Sequence, residues 1–233
     1  MTNKAILQLK AIYLKFKGDS HEIKVLNGVD LDIAEGSSVA ILGPSGSGKS
    51  SLLSIITGLE KQTSGTVSVN GHILDDMNED QLALFRRDNI GIVLQSFHLI
   101  ATMTALENVA VPLELAGRRD ALAQAERALD HVGLSHRLTH YPSQLSGGEQ
   151  QRVAIARAVA PNPKIILADE PTGNLDGKTG HKIIELIFNL QQQFNTTLIM
   201  ITHDSEVANH CDRILYIQDG LIADRKAREK VAE

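Results

Sequence analysis

The chain has one cysteine, Cys211, no tryptophan, and aromatic residues at only 3% of its 233 positions. A single thiol cannot close an internal disulfide, so stability must come from packing, and a reducing cytoplasm is the expected compartment. Long apolar runs are also missing. Stretches such as residues 39–42 and 198–201 stop after four, far short of the roughly 18 to 20 residues that a membrane-spanning helix needs. The first ten residues carry Lys4 and Lys10 but no apolar core of the length a secretory signal requires. Basic charge is not in excess: 23 Lys and Arg stand against 28 Asp and Glu, a net charge of −5. No broad positive field is available for nucleic-acid phosphates, so nucleic acid is not an expected partner. Internal repeats and low-complexity linkers are missing too, and the charged end, residues 225–233, reads as a frayed, solvated tail.

What remains is an ordinary globular composition, 42% hydrophobic and 22% charged, at a length that suits one domain with a subdomain. Residues 6–16 and 24–33 read as strands around the turn-prone Lys17-Gly18-Asp19-Ser20, and predict an antiparallel sheet. Residues 38–42 form a short apolar strand that runs into a glycine-rich turn, and a helix follows over 50–58. Further strands are expected at 67–69 and 90–94, a helical stretch over 104–132, and a helix-forming segment 121–134 stopped by Gly133. A helix over 149–159 ends before Pro161 and Pro163. Apolar strands at 165–168 and 197–202 flank a helix over 179–193. This alternation predicts an α/β fold with a parallel sheet.

Gly43-Pro44-Ser45-Gly46-Ser47-Gly48-Lys49-Ser50 fits the pattern G-x-x-x-x-G-K-[ST]. Its glycines let backbone N–H groups wrap a phosphate at a helix N-terminus, Lys49 reaches the β- and γ-phosphates, and Ser50 ligates Mg²⁺. Chance produces the pattern in about one chain of this length per hundred. The placement between an apolar strand and a helix therefore matters more than the match itself. Residues 165–168 lead into Asp169 and Glu170. A buried strand delivers Asp169 to the Mg²⁺ rim at its carboxyl end, and Glu170 can accept a proton from an attacking water. His203 follows another apolar strand and can reach a γ-phosphate. His136 and His140 are four apart, but no third metal ligand lies near them in the sequence. Leu145-Ser146-Gly147-Gly148-Glu149-Gln150 opens a helix with two glycines after a serine, a second anion-binding N-terminus. One nucleotide does not need two such sites, so the second is expected to grip the γ-phosphate held by another copy.

Together these segments resemble an ATP-binding cassette (ABC) ATPase over essentially the whole chain. The resemblance implies a P-loop NTPase core with an antiparallel β subdomain and an inserted α-helical subdomain. Residues 1–95 and 160–233 would form the core, and 96–159 the insertion that carries the signature. Residues 43–50 match Walker A, Gln95 the Q-loop glutamine and a metal contact, 145–149 the ABC signature, and 165–170 Walker B with its catalytic glutamate. Asn174-Leu175-Asp176 resembles the D-loop, and His203 the switch histidine. Phe16 falls where the family places an adenine-stacking aromatic, with Tyr13 the other candidate. Ser51 replaces the threonine common after the Walker A serine and keeps its hydroxyl. The segments 95–100, 105–109 and 168–176 look like the lipoprotein-release and macrolide-efflux branch, and within it the YbbA group.

The likeness implies an ATP- and Mg²⁺-dependent ATPase that forms a sandwich homodimer and drives an integral-membrane permease with an extracytoplasmic domain. Such a subunit would be peripheral on the cytoplasmic face of the inner membrane, with lipid-like or hydrophobic cargo. The docking face would lie near the Q-loop, at His98, Leu99, Thr104, Ala105 and Glu107. Among Leu106, Val109, Val111 and Leu113, most are expected in the subdomain core. Two alternatives differ in class. A soluble P-loop kinase would have no use for residues 145–149. A divisome-type regulatory ABC ATPase with a similar membrane partner stays open.

Overall fold

The computed structural model describes residues 4–17 and 22–224. The expected turn at residues 18–20 and the charged tail at 225–233 lie outside the described residues. The first half runs β1 (Ala5–Lys17), β2 (Glu22–Ala34), β3 (Ser38–Leu42), α1 (Lys49–Ile56), β4 (Ser64–Val69), β5 (His72–Ile73), α2 (Glu79–Asn89) and β6 (Ile90–Leu94). It continues with α3 (Ala105–Leu115), α4 (Ala121–His131), α5 (Gly147–Val159), β7 (Ile165–Asp169), α6 (Gly177–Phe194), β8 (Thr197–Ile201), α7 (Ser205–Ala208), β9 (Arg213–Gln218) and β10 (Leu221–Asp224). Two units result, one of Met1–Arg86 with Thr197–Glu233 and one of Arg87–Thr196.

In the first unit, β2-β1-β4-β5 form a sheet that is antiparallel at every pairing, as expected for its first two strands. Leu7, Leu9, Ile12 and Leu14 of β1 are all buried. Strict alternation would put the second pair on the opposite face from the first. An irregularity between Leu9 and Ile12 corrects this: Ala11 takes a φ of 49°, and its N–H donates to the Asp30 carboxylate at 2.8 Å. The second sheet of this unit has the order β10-β9-β3-β8. β8 and β9 flank β3 in parallel, while β10 runs antiparallel to β9. Every residue of β3 and β8 is buried, the pattern of parallel strands covered on both faces. Ser38 and Asp212 lock the start of β3 to that of β9. The Ser38 N–H and Oγ both donate to Asp212 Oδ2 at 2.8 Å, and the Asp212 N–H donates back to Ser38 Oγ at 2.9 Å.

In the second unit, β6 and β7 pair in parallel from Ile90 opposite Ile165 to Leu94 opposite Asp169. Helix α5 lies close against β6, because a Cβ on Gly91 would stand 2.4 Å from the Ala158 carbonyl oxygen. Helices α3, α4 and α5 pack on one another, burying Val109, Leu113, Leu129 and Val153. The helical stretch expected over 104–132 is therefore two helices, broken near Gly117, whose φ is 69°. Val109 and Leu113 are core residues, whereas Leu106 and Val111 are only partly covered.

One buried polar residue ties this packing to the loop before it. Asn108 has no exposed surface. Its Nδ2 donates to the carbonyls of Ile100, Met103 and Thr104 at 3.0 to 3.1 Å, and its Oδ1 accepts the Ile100 N–H at 2.7 Å. A leucine here would strand at least one of these backbone groups, and each buried orphan costs about 1 to 3 kcal/mol. Asn108→Leu is expected to lower the denaturant midpoint by a corresponding amount. An unchanged midpoint would show that the loop finds water instead.

Candidate functional site

The glycine-rich loop leaves β3 at Gly43 and enters α1 through Gly48, whose φ of 102° serves as the helix N-cap. A Cβ at position 43 would stand 2.2 Å from the Ile217 carbonyl oxygen. No side chain caps α1, so its first N–H groups remain donors for an outside acceptor. Ser47 Oγ is buried and has no hydrogen-bond partner. Lys49 folds back over the loop, its Nζ donating to the carbonyls of Gly43 at 2.8 Å and Pro44 at 2.7 Å. Ser45, Gly46 and Ser50 are exposed, and Ser51 is half-buried. Uncapped N–H groups, an orphaned hydroxyl and a primary ammonium form a cradle that an anion would complete.

His203 belongs to the same edge. β3 and β8 run in parallel with Ile41 opposite Ile201, so Gly43 and His203 leave neighbouring strands at the same end. His203 is exposed, and Asp204 after it caps α7 by accepting the N–H groups of Glu206 and Val207. Tyr13 and Phe16 stand apart on the antiparallel sheet, 38% and 44% exposed. The Tyr13 ring lies over Gly28, where a Cβ would come within 2.8 Å of its hydroxyl oxygen.

The second unit gathers another set. Leu94 is opposite Asp169, so Gln95 and Glu170 leave β6 and β7 at one end. Asp169 and Glu170 are half-buried. Glu170 has a φ of 47°, a left-handed conformation that costs a non-glycine residue about 1 to 3 kcal/mol and re-aims its side chain. Gln95 and Asn174 form a reciprocal amide pair. Gln95 Nε2 donates to Asn174 Oδ1 at 3.2 Å, and Asn174 Nδ2 donates to the Gln95 carbonyl at 3.0 Å. Gly173 lies directly beneath, where a Cβ would stand 2.7 Å from Gln95 Nε2. From α5, the buried Gln151 amide donates to the Pro171 carbonyl at 2.7 Å. Asp176 caps α6 by accepting the Thr179 N–H at 3.0 Å, and hydrogen bonds from Thr179 hold its carboxyl below the usual range.

At the start of α5, Ser146 and Glu149 form a capping box. Ser146 Oγ accepts the Glu149 N–H at 3.3 Å, while the Ser146 N–H and Oγ donate to Glu149 Oε2 at 2.9 and 2.8 Å. Arg137 Nε donates to the other oxygen, Oε1, at 3.0 Å. These contacts, led by the Ser146 N–H, hold the Glu149 carboxyl down at about 2. Gly147 is exposed, and a Cβ on Gly148 would collide with Thr179 Cγ2 at 2.6 Å.

On the expected docking face, Ala105 is buried, and Thr104 with Glu107 forms the capping box of α3. His98 is exposed and Leu99 half-covered. Four partners were not apparent from sequence: Asn108, Arg137, the pairing of Asn174 with Gln95, and Arg157. Arg157 donates to the carbonyls of His98 at 2.6 Å and Phe97 at 2.8 Å, both residues with positive φ. Two arginines on or beside the signature helix were the available signal. Among the described residues, no three His, Cys, Asp or Glu come together as a metal cluster, and no helix is long and apolar enough to cross a membrane.

A model of the ABC transporter family matches residues 26–173. The chain belongs to the ABC transporter family. It is 47% identical over 225 residues to the lipoprotein-releasing system ATP-binding protein LolD of Acinetobacter baylyi, covering 95% of this chain and 99% of the relative. It is 50% identical over 202 residues to the uncharacterized ABC transporter ATP-binding protein YbbA of Escherichia coli, covering 86% and 89%. Among solved structures, it is similar to the dimeric post-hydrolysis state of the ATP-binding cassette MJ0796 bound to ADP and Pi. The TM-score is 0.85 at 44% identity, with 94% of this chain and 98% of that chain covered. The fold is thus that of an ABC ATPase, and the cradle at α1 offers its open donors to an anion. Lys49→Ala removes its one ammonium, a charge-assisted contact worth about 1.5 to 3 kcal/mol. ATP affinity, read with a fluorescent analogue, is expected to fall roughly 10- to 100-fold; unchanged affinity would dismiss Lys49 as a phosphate ligand.

Proposed function

We propose that the chain is the ATP-hydrolysing subunit of a transporter or mechanotransmission complex, working as a sandwich homodimer that drives a separate membrane permease. The observation that carries this reading is the presence of two anion-type helix N-termini in one chain: the uncapped start of α1 and the Ser-Gly-Gly start of α5. The first takes the phosphates of one ATP, and the second reaches the γ-phosphate held by the other copy. A small-molecule kinase leaves the second without a task. The dimeric relative bound to ADP and Pi supports the sandwich.

In this reading Gly43, Ser45, Gly46, Ser47, Gly48, Lys49, Ser50 and Ser51 surround the phosphates of one copy's nucleotide, and Phe16 stacks on its adenine. Ser146, Gly147, Gly148, Glu149 and Asp176 act toward the nucleotide of the second copy. Ser50, Asp169 and Gln95 offer the hard oxygen donors that Mg²⁺ favours, and one carboxylate suffices where phosphate oxygens complete the shell. When bound, the ion neutralises phosphate charge. Glu170 accepts the proton of the attacking water, and His203 and Gln95 hold the γ-phosphate and that water in place. Residues 96–159 act as the arm that meets the permease on the cytoplasmic face of the inner membrane. The name of the LolD relative supports a lipid-like or hydrophobic cargo, and a permease with an extracytoplasmic domain fits such a task.

Glu170→Gln keeps the shape of the side chain but removes the base, so it is expected to bind ATP without hydrolysing it. The variant should run as a dimer on size exclusion with ATP and Mg²⁺ and as a monomer without them; a monomer under both conditions would overturn the sandwich. Docking needs a separate test. Glu107 caps α3 and is a poor probe, whereas Leu99 and the exposed Ile100 carry no cap. Leu99→Glu with Ile100→Glu should abolish stimulation of the ATPase by the permease while the isolated subunit keeps its basal rate. Intact stimulation would move the docking face elsewhere.

A further inference from the structure

The signature serine, as it stands, is not ready to donate. Ser146 Oγ spends its one proton on Glu149 Oε2 and accepts the Glu149 N–H. To grip a phosphate it must release the carboxylate, and that carboxylate is a full negative charge beside the place where more negative charge is to arrive. Coulomb repulsion between them acts at a few ångströms and at partial burial, where screening is weak. Glu149 is only 15% exposed. Among the described residues, one cation touches it: Arg137, from the short helical turn Ser135–Arg137, at 3.0 Å on Oε1. Arg137 is itself held in place, with one terminal nitrogen 3.1 Å from His140 Nε2. The backbone of that segment is tied down too, since the carbonyls of Leu138 and His140 accept the Leu106 and Ala105 N–H groups at the start of α3.

We propose that Arg137 is the positioning residue of the signature. By neutralising Glu149 it lets the Ser146 hydroxyl turn from the carboxylate to a nucleotide phosphate carried by a second copy of this chain. Arg137 touches no nucleotide in this account and acts only through Glu149. The inference rests on the sandwich reading given above. It also explains why an acidic residue is tolerated at the mouth of an anion site. Glu149 closes the capping box when the site is empty, and Arg137 removes the electrostatic penalty when it fills.

The test is a charge cycle in the Glu170→Gln parent, reading the ATP concentration that half-saturates dimer formation at fixed protein concentration. Arg137→Gln leaves Glu149 uncompensated and should raise that concentration about tenfold, while the affinity of the monomer for a fluorescent ATP analogue stays unchanged. Glu149→Gln preserves the capping box, which accepts glutamine as well as glutamate, and should lower the ATP requirement because Arg137 is then an unpaired cation near the phosphate. The double variant, with both charges gone, should return close to the parent. A purely structural Arg137 would instead leave the double variant as impaired as Arg137→Gln, and that result overturns the proposal. So does an Arg137→Gln variant that dimerises like the parent. If Arg137→Gln does not fold, Glu149→Gln decides alone: a raised ATP requirement overturns the proposal. A parent that stays monomeric with ATP would instead overturn the sandwich reading itself.

Discussion

The first backbone N–H groups of any helix find no carbonyl within it, and how each helix here satisfies them organises the functional surface. Helices α3 and α5 close their starts with reciprocal capping boxes, Thr104 with Glu107 and Ser146 with Glu149. Helix α6 uses the carboxylate of Asp176. Only α1, among these four, begins on a glycine with no side-chain cap. Its donors are therefore open to an outside acceptor, and an anion seated there would satisfy them. The start of α5 is of a different kind. It already has a side-chain cap in Glu149 and Ser146, and under the proposal above a phosphate would take the place of that cap while Arg137 offsets the Glu149 charge.

The sheets determine where these helix starts are delivered. β3 and β8 are apolar on both faces, so burial alone does not set register; the Ser38–Asp212 lock pins the start of β3 to that of β9. In the second unit the β6–β7 ladder does the same for Gln95, Asp169 and Glu170. Positive φ at Glu170, Phe97 and His98 shows the chain turning sharply just past those strands. Such strained residues persist where their surroundings over-determine them, and here the bonds are visible. Arg157 holds the carbonyls of Phe97 and His98, and the Glu170 carbonyl accepts the Gly173 N–H at 3.0 Å.

Much of this was legible in the residues themselves. Apolar runs placed β3, β7 and β8, glycine and proline marked the ends of α4 and α5, and the strand–glycine loop–helix order located the cradle. Less was legible where the signal was weak or distant. Helix α2 is mostly polar, with Phe85 its buried apolar residue, so its apolar stripe is too thin to see. β9 alternates, with Leu215 and Ile217 buried, but its short partner β10 is almost wholly exposed and has no pattern of its own. The polar partners of the site were hidden for another reason. Gln95 meets Asn174 across 79 positions and Arg157 meets Phe97 across 60; no local periodicity encodes such a pair. Capping was less visible: the sequence pointed to Ser146 as an anion donor, and the structure shows it serving as the N-cap of α5.

These distant polar contacts make the loop that follows β6 a set of linked choices. Gln95 is held by Asn174, Phe97 and His98 by Arg157, and Ile100 by Asn108. Each contact involves a backbone group or a side-chain amide; the Gln95–Asn174 pair is open to water, whereas Asn108 is fully buried. If the Gln95 side chain turns away, its Nε2 gives up Asn174 Oδ1, while Asn174 Nδ2 keeps the Gln95 backbone carbonyl just ahead of the Asp176 cap on α6. The turn at Phe97 and His98 that follows has a left-handed backbone, and its carbonyls accept from the Arg157 guanidinium on α5. These hydrogen bonds connect the loop after β6 to the turn before α6 and to helix α5. Spatial order alone makes this a connection and not a measured coupling. What gives it physical content is that every link in it is a named hydrogen bond.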